Sequence, residues 1–255
     1  MFYLERLLLS MSSASTAFVL VGGKGTRLRS VVSDRPKPMA DVAGRPFLEH
    51  LLDYWISQGV DRFVLCVGHM SESISNHFGD DYKGSSIEYS IDQGELGTGG
   101  ALSLALSRFP RSGNFLVLNG DTYFPIPIPK LEVGLRNTTS DWVIGLFPST
   151  DLARFTPVRT DATDRVREMG PFVGDSVFGA ERDFLVNGGV HLAKGAAFEE
   201  ASRSLQAPFS VEQGLMKMIE TEAVRVLGLR FDVDFLDIGT PDDLSRAQTM
   251  PNFLA

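Results

Sequence analysis

Short apolar runs alternate with helical stripes along most of the chain. The runs at 17–21, 62–67, 86–91, 114–118 and 142–147 have the length of β-strands. The segment 47–57 carries apolar residues at helical spacing from Leu48 to Ile56, and Gly59 follows as a stop signal. The segments 72–78 and 98–108 predict two further helices, so strands and helices are expected in alternation.

This alternation predicts an α/β fold with a doubly wound, mostly parallel mixed sheet in a three-layer α/β/α arrangement. Ligands of such sheets bind outside the carboxyl ends of the strands, where the loops after Val21, Ile91 and Leu118 fall. The pattern weakens over 149–183, where we expect insertions over the site. We expect a single domain over 16–255, preceded by an N-terminal extension at 1–15 that is not a signal peptide.

The first of these loops combines glycines with basic side chains. After the strand come, in order, Gly22, Gly23, Gly25, Thr26 and Arg27. Glycines at a strand end let backbone N–H groups approach an anion, because no Cβ stands in the way. Arginine can donate to two phosphate oxygens at once, and Lys37 adds a further positive charge. The segment is suited to holding a polyphosphate.

Composition agrees with a soluble enzyme that has one large core, or one core with a small annex, and that attracts anions locally. The chain has 255 residues, of which 43% are hydrophobic, and its formal net charge is −8. Six basic and two acidic residues fall between 24 and 45, so a basic loop interrupts an acidic surface that disfavours nucleic acid. No apolar run reaches the length of a membrane span. The single cysteine, Cys66, lies in an apolar run, which predicts a core residue and a reducing cytoplasm.

The glycine loop matches neither of two common phosphate-binding signatures. The dinucleotide fingerprint needs a glycine where Arg27 or Leu28 stands, and no G-x-x-x-x-G-K-[ST] string occurs. The string GGxGTRLR followed by PKPM is more specific. It resembles the signature of the sugar-1-phosphate nucleotidyltransferases, which make nucleotide sugars.

Further strings extend this resemblance over nearly the whole chain. The string EYSIDQGELGTGGALSLAL at 88–106 resembles the nucleotide-base loop and its following helix. NFLVLNGD at 114–121 and DIGTPD at 237–242 resemble the segments that each deliver a metal-binding aspartate. NGGV at 187–190 resembles the sugar-contacting strand, and Phe209 to Glu212 the start of the helix after it.

The resemblance implies a role for each matching residue. It gives catalytic roles to Arg27 and Lys37, Mg²⁺ binding to Asp121 and Asp237, and sugar contacts to Asn187 and Glu212. It implies nucleotide binding by Val21, Gly22, Gly23, Gly25, Thr26, Asp92, Gly97, Thr98 and Gly120. Read without the resemblance, Asp121 and Asp237 are equally compatible with turn or N-cap residues, and Asn187 with a turn.

The implied reaction is attack of a sugar-1-phosphate oxygen on the α-phosphorus of a nucleoside triphosphate, with loss of pyrophosphate. Within the family the sequence is closest to the D-glycero-α-D-manno-heptose 1-phosphate guanylyltransferases, which make GDP-heptose for bacterial surface glycans. The alternatives are a uridylyl- or thymidylyltransferase of the same family and a non-catalytic relative that binds nucleotide sugars. A homodimer is the assembly that the resemblance suggests.

Two positions make this interpretation specific. Asp92 is an acceptor-only side chain that suits the N1–H and N2–H₂ donors of guanine, unless it merely caps a turn. Many relatives carry a second lysine before the sugar-contacting strand, whereas no lysine occurs here between Lys130 and Lys194. Arg165 and Arg167 would share one strand face, so Arg167 is the expected partner of the sugar phosphate, with Arg182 as a weaker candidate.

Overall fold

The computed structural model describes residues 15–23, 35–68, 70–92, 94–111, 113–170, 184–222 and 224–250. The predicted extension, apart from Ser15, lies outside the described residues, as do the glycine-loop residues Gly25, Thr26 and Arg27. Arg182 and the end of the weakly patterned stretch also lie outside them. Within the described ranges, no helix is long and apolar enough to cross a membrane.

The strands and helices alternate along the chain as predicted. The strands are β1 (Thr16–Leu20), β2 (Asp41–Val42), β3 (Arg45–Pro46), β4 (Arg62–Val67), β5 (Asp81–Tyr82), β6 (Ser85–Ile91), β7 (Phe115–Asn119), β8 (Thr122–Tyr123), β9 (Trp142–Ser149), β10 (Val158–Thr160), β11 (Val166–Met169), β12 (Phe184–Ala193), β13 (Val226–Arg230) and β14 (Leu236–Asp237). The helices are α1 (Phe47–Ser57), α2 (Ser71–Phe78), α3 (Gly97–Arg108), α4 (Ile128–Asn137), α5 (Ala197–Ser202), α6 (Val211–Glu220) and α7 (Pro241–Ala247). Each predicted element is present within a few residues of its expected bounds.

Eight strands form the central sheet in the order β13-β9-β12-β7-β1-β4-β6-β5. β1 runs parallel to both β4 and β7, β6 runs parallel to β4, and β13 runs parallel to β9. β12 is antiparallel to both of its neighbours, and β5 is antiparallel to β6. The predicted mostly parallel mixed sheet is confirmed.

Helices cover both faces because successive residues of each strand point to opposite sides. In β1, Ala17 and Val19 pack in one core cluster with α1, α2 and α4, whereas Phe18 packs in the other with α3, α5 and α6. Cys66 is buried in the second cluster, as predicted. The sheet therefore forms the middle of three layers.

Several elements were not predicted from the sequence, among them a helix and a hairpin that contribute to the core. The helix α4 follows Pro127 as its N-cap and has Pro129 in its first turn, where a missing N–H leaves no intrahelical bond unmade. The hairpin of β10 and β11 lies in the weakly patterned stretch, and its apolar residues Val158, Val166 and Met169 pack with α6. This hairpin is therefore part of the core on that face.

Candidate active site

A cleft of about 1120 Å³ opens at the carboxyl ends of β1, β4, β6 and β7. This is the edge of the sheet at which ligands of α/β proteins bind. Its lining residues are Leu20, Gly22, Gly23, Cys66, Val67, Gly68, Asp92, Gly94, Glu95, Leu96, Gly97, Thr98, Ala101, Asn119, Asp121 and Pro208. The structure thus brings six residues of the predicted site to one cleft, namely Gly22, Gly23, Asp92, Gly97, Thr98 and Asp121.

The start of α3 is fastened to the segment that precedes α6. Gly97 has a φ of +74°, and a Cβ there would lie 2.4 Å from the carbonyl oxygen of Phe209. The N–H of Gly99 donates to that same oxygen at 2.9 Å. The hydroxyl of Thr98 accepts from the N–H of Val211 at 3.2 Å. Only glycine allows this close approach, which fixes the start of α3 against Phe209 at the cleft.

Asp92 shapes the loop that enters the cleft from β6. Its Oδ1 accepts the N–H of Gly94 at 2.7 Å, and its Oδ2 accepts the N–H of Leu96 at 3.2 Å. The carboxylate therefore caps this turn. A carboxylate oxygen can accept a second hydrogen bond, so the cap and the predicted contact with a base are compatible.

Two short strands bring Asp121 and Asp237 together from distant parts of the chain. In the antiparallel pair of β8 and β14, Asp237 lies opposite Thr122, the residue after Asp121. The N–H of Ile238 donates to the carbonyl oxygen of Asp121 at 3.1 Å. A small apolar cluster packs this pair against the segment that follows Lys37; its buried members are Ala40, Val42, Phe47, Tyr123, Leu236, Ile238, Leu244 and Ala247.

Lys37 lies between the two aspartates. Its Nζ donates to Asp121 Oδ2 at 2.7 Å and to Asp237 Oδ1 at 3.0 Å. Burial alone would lower the pKa of the Lys37 amine, but the charges and hydrogen bonds of both aspartates outweigh burial and raise this pKa. The ammonium ion therefore occupies the point to which both carboxylates are directed.

A second cation, Arg154, contacts the other oxygen of Asp237. Its Nη2 donates to Asp237 Oδ2 at 3.2 Å and to Asp243 Oδ2 at 2.6 Å. Burial would raise the pKa of the Asp243 carboxyl, but hydrogen bonds from Thr240 and Arg154 lower it. Sequence reasoning missed Arg154 and Asp243, since Arg154 lies in the weakly patterned stretch and its partners are 83 and 89 residues away.

Asn187 and Glu212, the predicted sugar contacts, are hydrogen-bonded to each other. Asn187 Nδ2 donates to Glu212 Oε1 at 2.9 Å, and Asn187 Oδ1 accepts the N–H of Gly189 at the same distance. Neither residue lines the cleft. The pair connects β12 to the first turn of α6, and the Asn187 amide is held by hydrogen bonds on both its oxygen and its nitrogen.

Val21 and Gly120 support the cleft from behind. Val21 is buried, and its N–H donates to the carbonyl oxygen of Cys66 at 3.0 Å. A Cβ on Gly120 would lie 2.3 Å from Val21 Cγ1, so the chain between β7 and Asp121 can pass β1 only with glycine there. Neither residue lines the cleft, and their predicted nucleotide contacts remain predictions.

Arg167 lies on the exposed side of the β10–β11 hairpin. Its Nε donates to Asp161 Oδ2 at 2.8 Å, and its side chain is 52% exposed. It is not among the residues that line the cleft. A contact with a sugar phosphate would require the guanidinium to exchange Asp161 for that phosphate. Among the described residues, the arginine that contacts the predicted metal-binding residue Asp237 is Arg154.

Two buried groups are unsuited to nucleophilic or acid–base chemistry. Burial raises the pKa of the Cys66 thiol to about 12 and lowers the pKa of His191 to about 3. His191 Nδ1 accepts a hydrogen bond from Trp142 Nε1 at 3.0 Å, so His191 is a core residue. Among the described residues, Lys37 and the carboxylates around it are therefore the better candidates for the chemistry of the site.

The residues around Lys37 fit a divalent cation. Two carboxylates from distant segments of the chain already share one positive charge, with their oxygens 2.7 and 3.0 Å from its nitrogen. Carboxylate oxygens are the ligands that Mg²⁺ takes, usually one or two of them together with phosphate oxygens. Asp121 and Asp237 can therefore hold such an ion, provided that Lys37 moves aside.

Comparisons with known proteins identify relatives of this chain. The family model described as "Nucleotidyl transferase" matches residues 16–250. The chain is 38% identical to a D-glycero-alpha-D-manno-heptose 1-phosphate guanylyltransferase of Aneurinibacillus thermoaerophilus, over 91% of this chain and 96% of that protein. It is 36% identical to the protein of the same name from Campylobacter jejuni, over 89% of this chain and 96% of the other.

A solved structure shows the same fold. The crystal structure of HddC from Yersinia pseudotuberculosis complexed with GMP-PN aligns with a TM-score of 0.73 at 28% identity. The alignment covers 92% of this chain and 98% of that chain. By its sequence, its sheet and the residues gathered at the cleft, the chain belongs to the nucleotidyl transferase family.

Proposed function

We propose that this protein transfers GMP from GTP to D-glycero-α-D-manno-heptose 1-phosphate, giving GDP-heptose and pyrophosphate. The observation that carries the proposal is Lys37, held between Asp121 and Asp237 beside the cleft. The choice of sugar and base is supported by the two relatives that bear this activity in their names and match nearly their full length.

The nucleotide would occupy the cleft at the ends of β1 and β6. The backbone of Gly22 and Gly23, exposed at the cleft wall, is suited to the triphosphate. The loop held by Asp92 and the start of α3 would receive the base. We assign Gly25, Thr26 and Arg27 to the triphosphate as well, on the family resemblance.

Lys37 and the two aspartates would serve the reacting phosphates. Asp121 and Asp237 would hold Mg²⁺, which when bound neutralises phosphate charge and polarises the phosphorus–oxygen bonds. Lys37 would leave the carboxylates and donate to the α-phosphate and the attacking phosphate. Its positive charge offsets the repulsion between two anionic substrates as they approach.

The reaction is a substitution at phosphorus that balances without a redox partner. An oxygen of the sugar 1-phosphate forms a bond to the α-phosphorus of GTP. The bond between the α-phosphorus and the bridging oxygen to the β-phosphorus breaks, and that oxygen leaves on pyrophosphate. Such transfers need positioning and charge neutralisation more than covalent help.

The Asn187–Glu212 pair is placed to support the sugar. The Glu212 carboxylate accepts from Asn187 and has further acceptor capacity, which suits sugar hydroxyl groups. The pair lies in the first half of β12 and at the start of α6, and in the sheet order β12 is on the other side of β7 from the base loop. We assign the sugar to this side of the site.

The test is pyrophosphate release with a matrix of nucleoside triphosphates and sugar 1-phosphates. The proposal expects Mg²⁺-dependent release, fastest with GTP and the heptose 1-phosphate. Release with UTP or dTTP in preference would make the protein another member of the family. Binding of nucleotide sugar without turnover of any pair would support the non-catalytic alternative.

A further inference from the structure

We propose that Arg154 is a positioning residue for nucleotidyl transfer. Arg154 holds Oδ2 of Asp237, so that Oδ1 faces the place where the divalent cation would bind. The inference rests on the proposed function, because it takes Asp237 as a metal-binding residue.

The two oxygens of Asp237 have separate partners. Oδ1 accepts from Lys37 Nζ at 3.0 Å, whereas Oδ2 accepts from Arg154 Nη2 at 3.2 Å. The Asp237 side chain is 15% exposed, so it has little solvent to replace either partner. A rotation that moved Oδ1 away from the cation site would also break the bond to Arg154.

Arg154 is itself held by the start of α7. Its Nη2 also donates to Asp243 Oδ2 at 2.6 Å, and the Thr240 hydroxyl donates to that same oxygen at 2.6 Å. The N–H of Asp243 donates back to Thr240 Oγ1, the N-cap of the helix, at 3.2 Å. A chain of charge-assisted hydrogen bonds thus runs from a helix terminus to Asp237.

Aromatic packing holds the two segments side by side. Phe155, next to Arg154, and Phe235, two residues before Asp237, meet edge to face with ring centroids 5.3 Å apart. Both rings contact Phe147 of β9, at 5.3 and 3.8 Å. The guanidinium and the carboxylate are therefore brought together by the core and not by their charges alone.

Arg154 would hold Asp237 in place while the cations at the site exchange. When Lys37 moves onto phosphate, Asp237 keeps a positive partner on Oδ2, and Oδ1 stays directed at the place that Lys37 has left. Residues that orient a metal-binding carboxylate in this way are worth about 10- to 100-fold in metal affinity or activity. Removing Arg154 would leave the orientation of Asp237 to Lys37 alone.

The test is Mn²⁺ binding, followed by electron paramagnetic resonance with GTP present and no sugar phosphate, so that no turnover occurs. We expect Arg154→Gln to weaken Mn²⁺ binding about tenfold or more. Arg154→Lys, which keeps a cation with several donors, should stay closer to the wild type than Arg154→Gln. Arg159→Ala, which removes an arginine from an exposed ion pair with Glu168, is the matched control and should bind as the wild type does.

The outcomes separate this inference from the proposed function. Equal Mn²⁺ affinity of wild type and Arg154→Gln would overturn the role of Arg154 and leave the proposed function in place. Equal losses in Arg154→Lys and Arg154→Gln would also overturn it, since a contact that only fills space does not depend on charge. A wild-type protein that binds no Mn²⁺ with any nucleoside triphosphate would overturn both.

Discussion

The two sides of the active site present different chemical groups. The wall on the β1 and β6 side exposes backbone at three glycines, Gly22 and Gly23 at a strand end and Gly97 at a helix start. The opposite side consists of charged side chains, in which Lys37, Arg154 and three aspartates form one connected network. A wall of backbone N–H groups keeps its shape because the sheet fixes it, whereas a network of charges can exchange partners when an ion or a phosphate arrives.

The difference separates two tasks. The backbone side suits a group whose position must be reproduced, such as a base and its triphosphate. The charged side suits a step in which charge is redistributed, because each carboxylate already shares a cation with its neighbour. The following predictions test this division, from the largest expected effect to the smallest.

Lys37→Met should have the largest effect, on the charged side. We expect turnover to fall about 10²- to 10³-fold, in the range found for losing one preorganised donor to a developing charge. Without metal, Asp121 and Asp237 would face each other unshielded, so the free energy of unfolding should drop by about 1–3 kcal/mol. Thermal unfolding with and without Mg²⁺ measures this loss of stability, and added Mg²⁺ should restore part of it.

Lys194→Met is the matched control for that variant. Lys194 lies 3.7 Å from Asp141 with 41% of its side chain exposed, where an ion pair contributes little. Both turnover and the free energy of unfolding should stay close to wild type. A similar loss in Lys194→Met and Lys37→Met would show that the network has no special place in the reaction.

Gly97→Ala tests the backbone side. The new methyl group would meet the carbonyl oxygen of Phe209 at 2.4 Å, so either α3 or the 208–211 segment must shift. Gly44 also has a positive φ, but a Cβ there meets no described atom within 4 Å. We expect Gly44→Ala to cost about 1 kcal/mol in unfolding free energy, the price of the backbone conformation alone. Gly97→Ala should cost about 1–3 kcal/mol more and weaken GTP binding.

The comparison of the two glycine variants is made by chemical denaturation and by nucleotide titration. Equal unfolding midpoints for the two would show that the contact with Phe209 gives way easily. Unchanged GTP affinity in Gly97→Ala would place the nucleotide elsewhere than at the start of α3.

Asp92→Asn should change the choice of base. The amide keeps an acceptor for one of the two N–H groups of the turn but presents a donor to the other, and it can no longer accept two donors from guanine. We expect the preference for GTP over UTP, measured as the ratio of kcat/KM values, to fall about tenfold to a hundredfold. An unchanged ratio would mean that Asp92 serves only the turn.

The smallest predicted effect lies in the central sheet, at the buried His191 of β12. Burial lowers the pKa of His191 to about 3, below its ordinary value of 6.5 in the unfolded chain. The unfolded state therefore binds a proton that the folded state does not, and stability is lost as the pH falls below about 6.5. Between pH 7 and pH 5 this histidine should remove about 1–2 kcal/mol.

His191→Gln isolates this contribution, because glutamine can still accept from Trp142 Nε1 but does not titrate. The difference in unfolding free energy between wild type and variant should shrink as the pH falls from 7 to 5. A difference that stays constant over this range would show that His191 does not carry the effect.

The two sides also differ in how far the sequence alone could predict them. The strand end and its glycines are a local pattern that led to Gly22 and Gly23, whereas the family resemblance led to Asp92, Gly97 and Thr98; all five line the cleft. Asp121 and Asp237 were found because each ends an apolar segment in a family string. The alternation of strands and helices was predicted from the periodicity of apolar residues. Helix α4 was missed because two prolines obscured its start.

Only Lys37, Asp121 and Asp237 of the charged network were predicted from the sequence, and the reason is physical. Arg154 reaches Asp237 and Asp243 across separations of 83 and 89 residues, and its neighbours show no periodic pattern. The strand rule placed Arg167 on a face of β11, but it could not show that Asp161 lies within reach of its guanidinium. Contacts between side chains from distant segments depend on tertiary packing, which local spacing does not contain.

The most direct test of the account is a crystal structure of the protein with a non-hydrolysable GTP analogue and Mn²⁺. We predict an anomalous peak for Mn²⁺ bound by Asp121 and Asp237, with Lys37 moved from these carboxylates onto phosphate and the base in the loop that begins at Asp92. Mn²⁺ bound elsewhere, or Lys37 still between the two aspartates with the nucleotide in place, would contradict the claim that the two sides meet there to carry out transfer.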